Sequence, residues 1–219
     1  LSAGYSKKIK QTQFNFSSSN YLFGDSESSS IKSTIELDLK KKNSLKIALS
    51  LLNSTPDYNQ LLFSSNYVNY NWDNEFQNIK TKALKLNLKL DKIINLDVDY
   101  TNIANHIQFE QIETGSMDNI FTYSVKPIQH ETSIDLLKVK LNRSVNFGKF
   151  SIDSSLMFQK SISNDLVNVP NIISRNTIYF SSDLFKKALY LQTGFGVKYF
   201  SKFYMNGYDP LLSELYIQR

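Results

Sequence analysis

The sequence alternates apolar and polar side chains with a two-residue period, and it does so in many separate segments. The clearest segment runs from Leu84 to Leu90, and a second runs from Ile94 to Tyr100. Successive side chains of a β-strand point to opposite faces of a sheet, so each such segment has one apolar and one polar face. No segment combines a 3.6-residue apolar period with helix caps. The pattern predicts an all-β fold, an antiparallel up-and-down meander of about ten to twelve strands.

The three residues between these two segments predict a tight hairpin. Pairing Leu90 with Ile94 sets apolar side chains opposite apolar ones on one face. On the other face the same register sets lysines and amides opposite amides and carboxylates, which is favourable across an antiparallel pair. The expected pairs are Leu88–Leu96, Leu86–Val98, Leu84–Tyr100, Lys89–Asn95, Asn87–Asp97 and Lys85–Asp99. By the same reasoning Leu39 pairs with Leu45 across a turn at 41–44, and Asp38 lies opposite Lys46.

The remaining segments are less regular, and they yield a coarser set of expectations. A change of phase at Leu136–Leu137 predicts a bulge. The other expected elements are a strand over 61–71, a polar loop over 107–119, one long strand or two interrupted near Pro127 over 120–143, strands over 172–183 and 189–204, and a new strand from Ser213.

Two architectures use two-faced strands of this kind. A soluble β-sandwich buries the apolar faces against each other with strands of about five or six residues, whereas a transmembrane β-barrel turns them to lipid with longer strands and a polar lumen. Strands of ten or more residues, full charges in mid-strand and aromatic residues near strand ends favour the barrel. Those aromatic residues are Tyr100, Phe121, Tyr123, Phe150, Tyr199, Phe200 and Tyr204.

The connections give a second argument for the barrel, because alternate connections of a meander lie on the same side. If 120–143 is a single strand, one side carries mostly short turns and the other long loops, as in an outer-membrane barrel. The expected short side has the connections near 54–60, 91–93, 146–149 and 185–187, and the long side those near 73–80, 105–119 and 160–171. The short turn at 41–44 falls on the long side.

In a barrel the two faces have different surroundings, which gives candidate site residues. The lipid-facing candidates are Leu84, Leu86, Leu88, Leu90, Ile94, Leu96 and Val98. The lumen-facing candidates, whose charges could tune solute preference or merely solvate the interior, are Lys85, Asn87, Lys89, Asn95, Asp97, Asp99, Lys138 and Lys140.

Other classes of function find little support in the composition. Cysteine is absent, so thiol catalysis and thiolate metal sites are excluded. The net charge is +5, but lysines and aspartates alternate along the same strands, so we expect no nucleic-acid partner. The only histidines, His106 and His130, lack metal-ligand spacing, and Asp97 and Asp99 are better explained by charge pairing than by acid–base catalysis. We therefore expect no enzyme activity, no metal and no cofactor.

The second half of the chain carries a recognisable series of motifs. Pro170 is followed by Arg175–Asn176, then by Phe185–Lys186–Lys187 with Leu189, and then by Gln192–Thr193–Gly194. The segments Tyr199–Phe200, Tyr208–Asp209–Pro210 and Glu214–Leu215–Tyr216–Ile217–Gln218 complete the series. Over 125–218 the chain resembles the "putative porin" family of Bacteroidota outer membranes; before that the likeness is generic.

The resemblance implies a β-barrel in the outer membrane of a Gram-negative bacterium that allows passive diffusion of small hydrophilic solutes. Its partners would then be outer-membrane lipid and those solutes, while no feature indicates an oligomeric state. The chain begins at Leu1 in strand-like sequence, so we expect a single barrel domain over 1–219 that is incomplete at both ends. The alternatives are a soluble or periplasmic β-sandwich binding module, and the barrel of an outer-membrane receptor or enzyme.

Overall fold

A computed structural model describes residues 1–21, 28–40, 42–117, 120–162 and 167–218, and most of them lie in β-strands. In chain order the elements are β1 (Ser2–Ile9), β2 (Thr12–Asn20), β3 (Ser29–Leu39), β4 (Asn43–Ser54), α1 (Tyr58–Leu61), β5 (Leu62–Phe63), β6 (Trp72–Asp73), β7 (Ile79–Leu90), β8 (Ile94–Ala104), β9 (Ile107–Met117), β10 (Ile120–Gln129), β11 (Ile134–Phe147), β12 (Phe150–Ser161), β13 (Ile172–Leu184), β14 (Leu189–Phe200), β15 (Gly207–Asp209) and β16 (Glu214–Ile217).

Ten of these strands form one antiparallel meander, called here the large sheet. Its order is β1-β2-β3-β4-β7-β8-β11-β12-β13-β14, so its strands follow one another in chain order, with β5, β6, β9 and β10 left out. Among the described residues the sheet is open, with β1 and β14 at its edges. The predicted all-β antiparallel meander is therefore confirmed, with ten strands. No helix in the described ranges is long and apolar enough to cross a membrane.

The hairpin of β7 and β8 has the predicted register throughout. Leu90 pairs with Ile94, Lys85 with Asp99 and Leu84 with Tyr100. The register continues into the neighbouring strands, so that leucines from four strands form one row across the sheet: Leu45, Leu88, Leu96 and Leu141. Such cross-strand apolar pairs fix the register, since a slip by one residue would place lysine in the row.

The predicted register of the β3–β4 hairpin is wrong by two residues. Leu37, not Leu39, lies opposite Leu45, and Lys46 lies opposite Glu36 instead of Asp38. The turn is shorter than expected because Lys42 adopts a left-handed conformation with φ 62°, which lets Leu39 pair with Asn43. A two-residue shift keeps every side chain on its predicted face, because the period of a strand is two.

The connections of the large sheet are short on one side and long on the other. The short side carries connections of two to four residues, at 10–11, 40–42, 91–93, 148–149 and 185–188. The long side carries those at 21–28, 55–78, 105–133 and 162–171. The predicted asymmetry is confirmed, but the sides were partly misassigned: the turn near 41–44 lies with the other short ones, and the connection that begins near residue 54 is long.

The misassignment arises from 61–71, which was expected to be a strand of the meander but lies within the long connection 55–78. The segment 105–133 forms an excursion from the large sheet. Residues 107–117 are strand β9 instead of a polar loop, and of the two alternatives for 120–143 the structure has the second, two strands, β10 and β11. The break follows Gln129, while Pro127 lies within β10 opposite Phe109. The bulge lies between Thr122 and Tyr123, whereas β11 pairs without a register shift on both sides of Leu136–Leu137.

Strands β10, β9, β16 and β15 form a second sheet, called here the small sheet. Strand β16 begins near Ser213 as predicted, but it joins β9 in parallel pairing, with Tyr216 opposite Phe109. Strand β14 ends at Phe200, short of the expected residue 204. The expected strand over 61–71 is instead the last residue of helix α1, the short strand β5 and a loop that returns to β6.

The buried apolar core is small and belongs to the small sheet and its junction with the large one. Its members are Ile107, Phe109, Val125, Ile134 and Ile217. Four of them lie in β9, β10 and β16, and Ile134 is the first residue of β11. The large sheet contributes few fully buried side chains although it contains most of the chain.

Candidate functional site: a two-faced sheet

The large sheet separates its side chains onto two chemically different faces. The register places one set on what we call the apolar face: Leu84, Leu86, Leu88, Leu90, Ile94, Leu96 and Val98. It places the other set on the opposite, polar face: Lys85, Asn87, Lys89, Asn95, Asp97, Asp99, Lys138 and Lys140. Both sets occupy the middle of the sheet, on β7, β8 and β11.

The apolar face is exposed across the whole width of the large sheet. Leu49 on β4 is 54% exposed, Leu84 on β7 is 44% exposed and Val197 on β14 is 56% exposed. Large exposed side chains of this kind also come from β1, β2 and β12, for example Tyr5, Phe14 and Leu156. A continuous apolar surface of this extent marks a face that contacts lipid or another protein.

Aromatic residues lie along both margins of the apolar face. Near the short turns, Phe147 pairs with Phe150 and Phe150 with Phe180, and the last two rings are 5.3 Å apart. Toward the long connections, Tyr100 follows the leucine rows and its hydroxyl donates to Asp135 Oδ1 at 2.7 Å. The Asn102 side-chain amide donates to the same oxygen at 2.8 Å. The apolar band is thus bounded by rings that meet polar groups, the usual arrangement at a membrane interface.

Not all the aromatic residues expected near the band belong to it. Phe121 and Tyr123 are part of β10 in the small sheet, Phe200 lies on the polar face, and Tyr204 follows the end of β14. A polar row also crosses the apolar face between the leucine row and the phenylalanine margin. Arg143, Ser154 and Asn176 are successive partners in that row.

The polar face holds a network of ion pairs and hydrogen bonds. Lys138 Nζ is 3.2 Å from Asp99 Oδ2, and the Asn87 amide donates to Asp97 Oδ1 at 2.6 Å. On neighbouring strands Lys46 pairs with Glu36 at 3.8 Å, and Lys8 pairs with Asp38 at 3.5 Å. Lys85 lies opposite Asp99 as predicted, but the carboxylate of Asp99 reaches Lys138 instead.

Basic side chains outnumber acidic ones on the polar face of the ten strands. The basic residues at polar-face positions are Lys8, Lys32, Lys46, Lys85, Lys89, Lys138, Lys140, Arg175 and Lys198. The acidic ones are Glu36, Asp38, Asp97, Asp99, Asp153 and Asp183. The surface is therefore water-compatible and carries an excess of positive charge.

Two recesses lie on the polar face. One of about 320 Å³ is lined by Lys32, Lys46 and Lys85 together with Asp97 and Asp99. Another, of about 290 Å³, lies toward β13 and brings Asp153 and Arg175 together. Neither contains the grouped nucleophile, base and oxyanion donors that would indicate a catalytic centre. The polar face is suited to holding or passing polar solutes.

The sequence of this chain also matches a known family over its full length. A profile of the family described as "Putative porin" covers residues 1–219. The chain belongs to the putative porin family. No curated protein and no solved structure matches it. The family match thus extends the likeness from the second half of the chain to the first.

In this porin-family chain the small sheet is tied to the segments around it by polar contacts. Tyr70 in the loop before β6 donates its hydroxyl hydrogen to Asp209 Oδ2 at 2.8 Å. Burial raises the pKa of the Tyr70 phenol, and the hydrogen bond and charge of Asp209 raise it further. Trp72 packs 4.9 Å from Phe63 and 6.3 Å from Phe109, measured between ring centroids. These contacts join the 55–78 connection to the small sheet.

The two histidines lie together where β8 passes into β9 and β10 into β11. The backbone N–H of His130 donates to the carbonyl of His106 at 2.9 Å. His130 Nε2 is 2.8 Å from Glu110 Oε1, which also accepts a hydrogen bond from Gln108 at 2.6 Å. Burial and then the nearby His130 lower the pKa of His106, while a hydrogen bond with Gln108 raises it.

This histidine cluster is the part of the porin-family chain that sequence reasoning described least well. The structure shows a half-buried network around His106 and His130, which the spacing of the two histidines in the sequence does not reveal. Within the described ranges, no three histidine, aspartate or glutamate side chains are grouped so that they could hold a metal ion. The hydrogen bonds of the cluster join β9 to the end of β10, which is a structural role.

Several polar-face residues were missed although the sequence contained their signal. Lys32 and Thr34 follow the same two-residue period as Ile31, Ile35 and Leu37, so their common face could have been predicted from β3 alone. The recess between β3 and β7 could not be predicted in this way, because its position depends on the register of β4, which lies between these two strands.

Proposed function

We propose that this porin-family chain forms the wall of an outer-membrane β-barrel of a Gram-negative bacterium, through which small hydrophilic solutes diffuse passively. The apolar face would contact lipid and the polar face would line the water-filled path. The observation that carries the proposal is the exposure of large apolar side chains over ten strands, opposite a face of ion pairs and amides.

The strand lengths and connections support the same proposal. Strands of the large sheet are 8 to 14 residues long, which brackets the length of about 9–11 residues needed to cross a bilayer. Short turns on one side and long connections on the other are typical of bacterial outer-membrane barrels. In a bilayer the edges β1 and β14 must be paired, with each other or with further strands, since an unpaired backbone group in hydrocarbon costs several kcal/mol.

A soluble β-sandwich requires a second layer over the apolar face. The small sheet buries its own apolar residues around Phe109 and leaves Leu49, Leu84 and Val197 exposed. For a porin role no catalytic group, metal or cofactor is needed, because diffusion through a pore makes and breaks no covalent bond.

Planar-bilayer recording of the full-length protein tests the pore. We expect stepwise conductance increases in KCl that persist at low voltage, with detergent buffer alone as the blank. A protein that inserts into the bilayer, as shown by protection of its strands from protease, and produces no conductance would contradict the proposal.

The orientation of the two faces can be tested separately, and the absence of cysteine makes single-cysteine labelling clean. Environment-sensitive labels at Leu86, Leu88 and Val98 should report lipid, and labels at Asn87 and Asp97 should report water. Neighbouring positions such as Leu86 and Asn87 control for each other because they share a strand. The same environment at both sets of positions would overturn the assignment of the faces.

A further inference from the structure

The carboxylates in the middle of the polar face are already engaged by close partners. Asp99 lies between Lys85 and Lys138 in the register, and its ion pair is with Lys138, at 3.2 Å. Asp97 lies between Asn87 and Lys140, and it accepts the Asn87 amide at 2.6 Å. Each aspartate has a lysine within its cross-strand reach that it does not bind.

Lysines on this face are consequently left without a carboxylate partner. Among the described residues, no carboxylate oxygen lies within 4.0 Å of the Nζ atom of Lys32, Lys85 or Lys140. Lys32 and Lys85 are exposed, so their ammonium groups are accessible to a solute in the water beside the sheet. The free charge in the centre of the polar face is therefore positive.

Two of these free lysines meet in the recess of about 320 Å³. Its lining also includes the hydroxyl residues Thr34 and Ser50 and the weakly paired Lys46, whose Nζ is 3.8 Å from Glu36. The two engaged carboxylates, Asp97 and Asp99, complete its charged lining, so its lysines outnumber its carboxylates. Ammonium and hydroxyl groups are the donors that carboxylates and phosphates accept from. The volume is at the lower end of the range for small-molecule sites.

We propose that the polar face favours small anions over small cations, and that the recess formed by Lys32, Lys46 and Lys85 is a binding site for them. The ligand class is a small solute that carries a carboxylate or phosphate group. The inference rests on the proposed function, because it assigns a preference to the path that the polar face would line. The ion pair with Lys138 offsets the charge of Asp99. Lys32, Lys85 and Lys140 outnumber Asp97, whose amide partner Asn87 is neutral, so the centre of the face attracts anions from the solution.

Reversal potentials of the full-length protein in planar bilayers test this preference. Under a tenfold KCl gradient we expect a sign that shows chloride to be more permeant than potassium. In the double variant Lys32→Gln/Lys85→Gln the permeability ratio should fall about fourfold. That is about twofold for each lysine, the Coulomb effect of one charge about 10 Å away in water. In 1 M salt, where the Debye length is about 3 Å, the preference should shrink.

The double variant Lys80→Gln/Lys82→Gln is a matched control. It removes the same charge, and both lysines are exposed on strand β7, but they lie on the apolar-face side near the long connections. We expect its permeability ratio to equal that of the unchanged protein, and the conductance of both variants to show that they have folded and inserted. An equal fall in both variants would overturn the role of the recess.

Two further outcomes separate the inference from the proposed function. Channels that conduct without preference, or that prefer potassium, would overturn the anion inference and leave the pore intact. An inserted protein without conductance would overturn the proposed function, and the inference with it. A second readout tests binding at the recess in a conducting channel: inorganic phosphate added to one side should reduce chloride current, and Lys32→Gln/Lys85→Gln should weaken this block.

Discussion

The large and small sheets share the same alternating side-chain pattern but place their apolar residues in different surroundings. Leu49 and Val197 on the large sheet are 54% and 56% exposed, whereas Phe109 and Ile217 on the small sheet are 4% and 7% exposed. The small sheet collects strands from two distant parts of the chain and closes a core with Trp72. Alternation therefore establishes that a strand has two faces, while other elements decide what covers the apolar one.

The difference has an energetic consequence for the two sheets. Removing a side chain from a packed protein core costs its transfer free energy and also leaves a cavity. Removing one from a face in contact with lipid leaves no fixed cavity, because lipid chains can fill the space. A charged side chain distinguishes the two faces of the large sheet, since it can remain hydrated only on the polar face. Substitutions in the two sheets and on the two faces of the large sheet test these differences.

The largest effect is expected at the centre of the small sheet. Phe109→Ala should lower the free energy of unfolding of the small sheet by about 3–5 kcal/mol, because Phe109 is buried and packs against Trp72. Leu84→Ala on the large sheet should cost about 1–2 kcal/mol, since only transfer free energy is lost. Hydrogen exchange of β9 and β7 amides in lipid vesicles measures both. Equal losses would show that the apolar face of the large sheet is packed like the core.

A somewhat smaller effect is expected when a charge enters the apolar face. Leu88→Arg should destabilise the protein folded in lipid vesicles by about 2–4 kcal/mol, the cost of arginine near the bilayer midplane on the lipid side of a barrel. Asn87→Arg, one residue away on the polar face, should cost about 1 kcal/mol, the net contribution of its hydrogen bond to Asp97, because the added charge itself stays hydrated. Urea titration in the vesicles measures the free energy of unfolding. A cost for Asn87→Arg that matches the cost for Leu88→Arg would place both faces in the same environment.

The smallest effect concerns the pH dependence of the small sheet. Because the pKa of His106 is lowered by burial and by His130, the folded chain binds fewer protons than the unfolded chain below about pH 6.5. The stability present above pH 6.5 should be lost as the pH falls through the folded-state pKa. Hydrogen exchange of β9 amides should therefore show more opening at pH 5 than at pH 8 after correction for intrinsic rates.

The variant His106→Gln is the control for this pH effect. It should remove most of the pH dependence in β9, and β7 amides should be unaffected in both proteins. A pH response of β9 that persists in His106→Gln would assign the effect to another group, such as the Glu110–His130 pair.

Much of the large sheet could be predicted because its determinants are local. Each strand carries its own alternation, and the β7–β8 hairpin carries complementary partners on both faces, so one register satisfies Leu88 with Leu96 and Asn87 with Asp97. The β3–β4 register failed because the turn conformation at Lys42, which lengthens the ladder, leaves little trace in the sequence. The assignment of side chains to the two faces was still correct, because the register shift was an even number of residues.

The small sheet could not be predicted because its determinants are distant in the chain. Residues 107–117 are polar enough to resemble a loop, and they become a strand by pairing with β10 on one side and with β16, about a hundred residues later, on the other. Residues 61–71 show the opposite change, from an expected strand to a loop. Their aromatic side chains suggested a strand, but contacts such as Tyr70 with Asp209 hold them as a loop.

By itself the sequence determined the all-β meander, the two-residue period and the assignment of residues such as Leu86 and Lys85 to opposite faces, because these follow from local geometry. Only the tertiary structure decided which charges are paired, which apolar residues are covered, and how the excursion 105–133 meets residues 207–217. The physical reason is that a carboxylate such as Asp99 has a lysine on either side, and three-dimensional geometry alone selects Lys138 over Lys85.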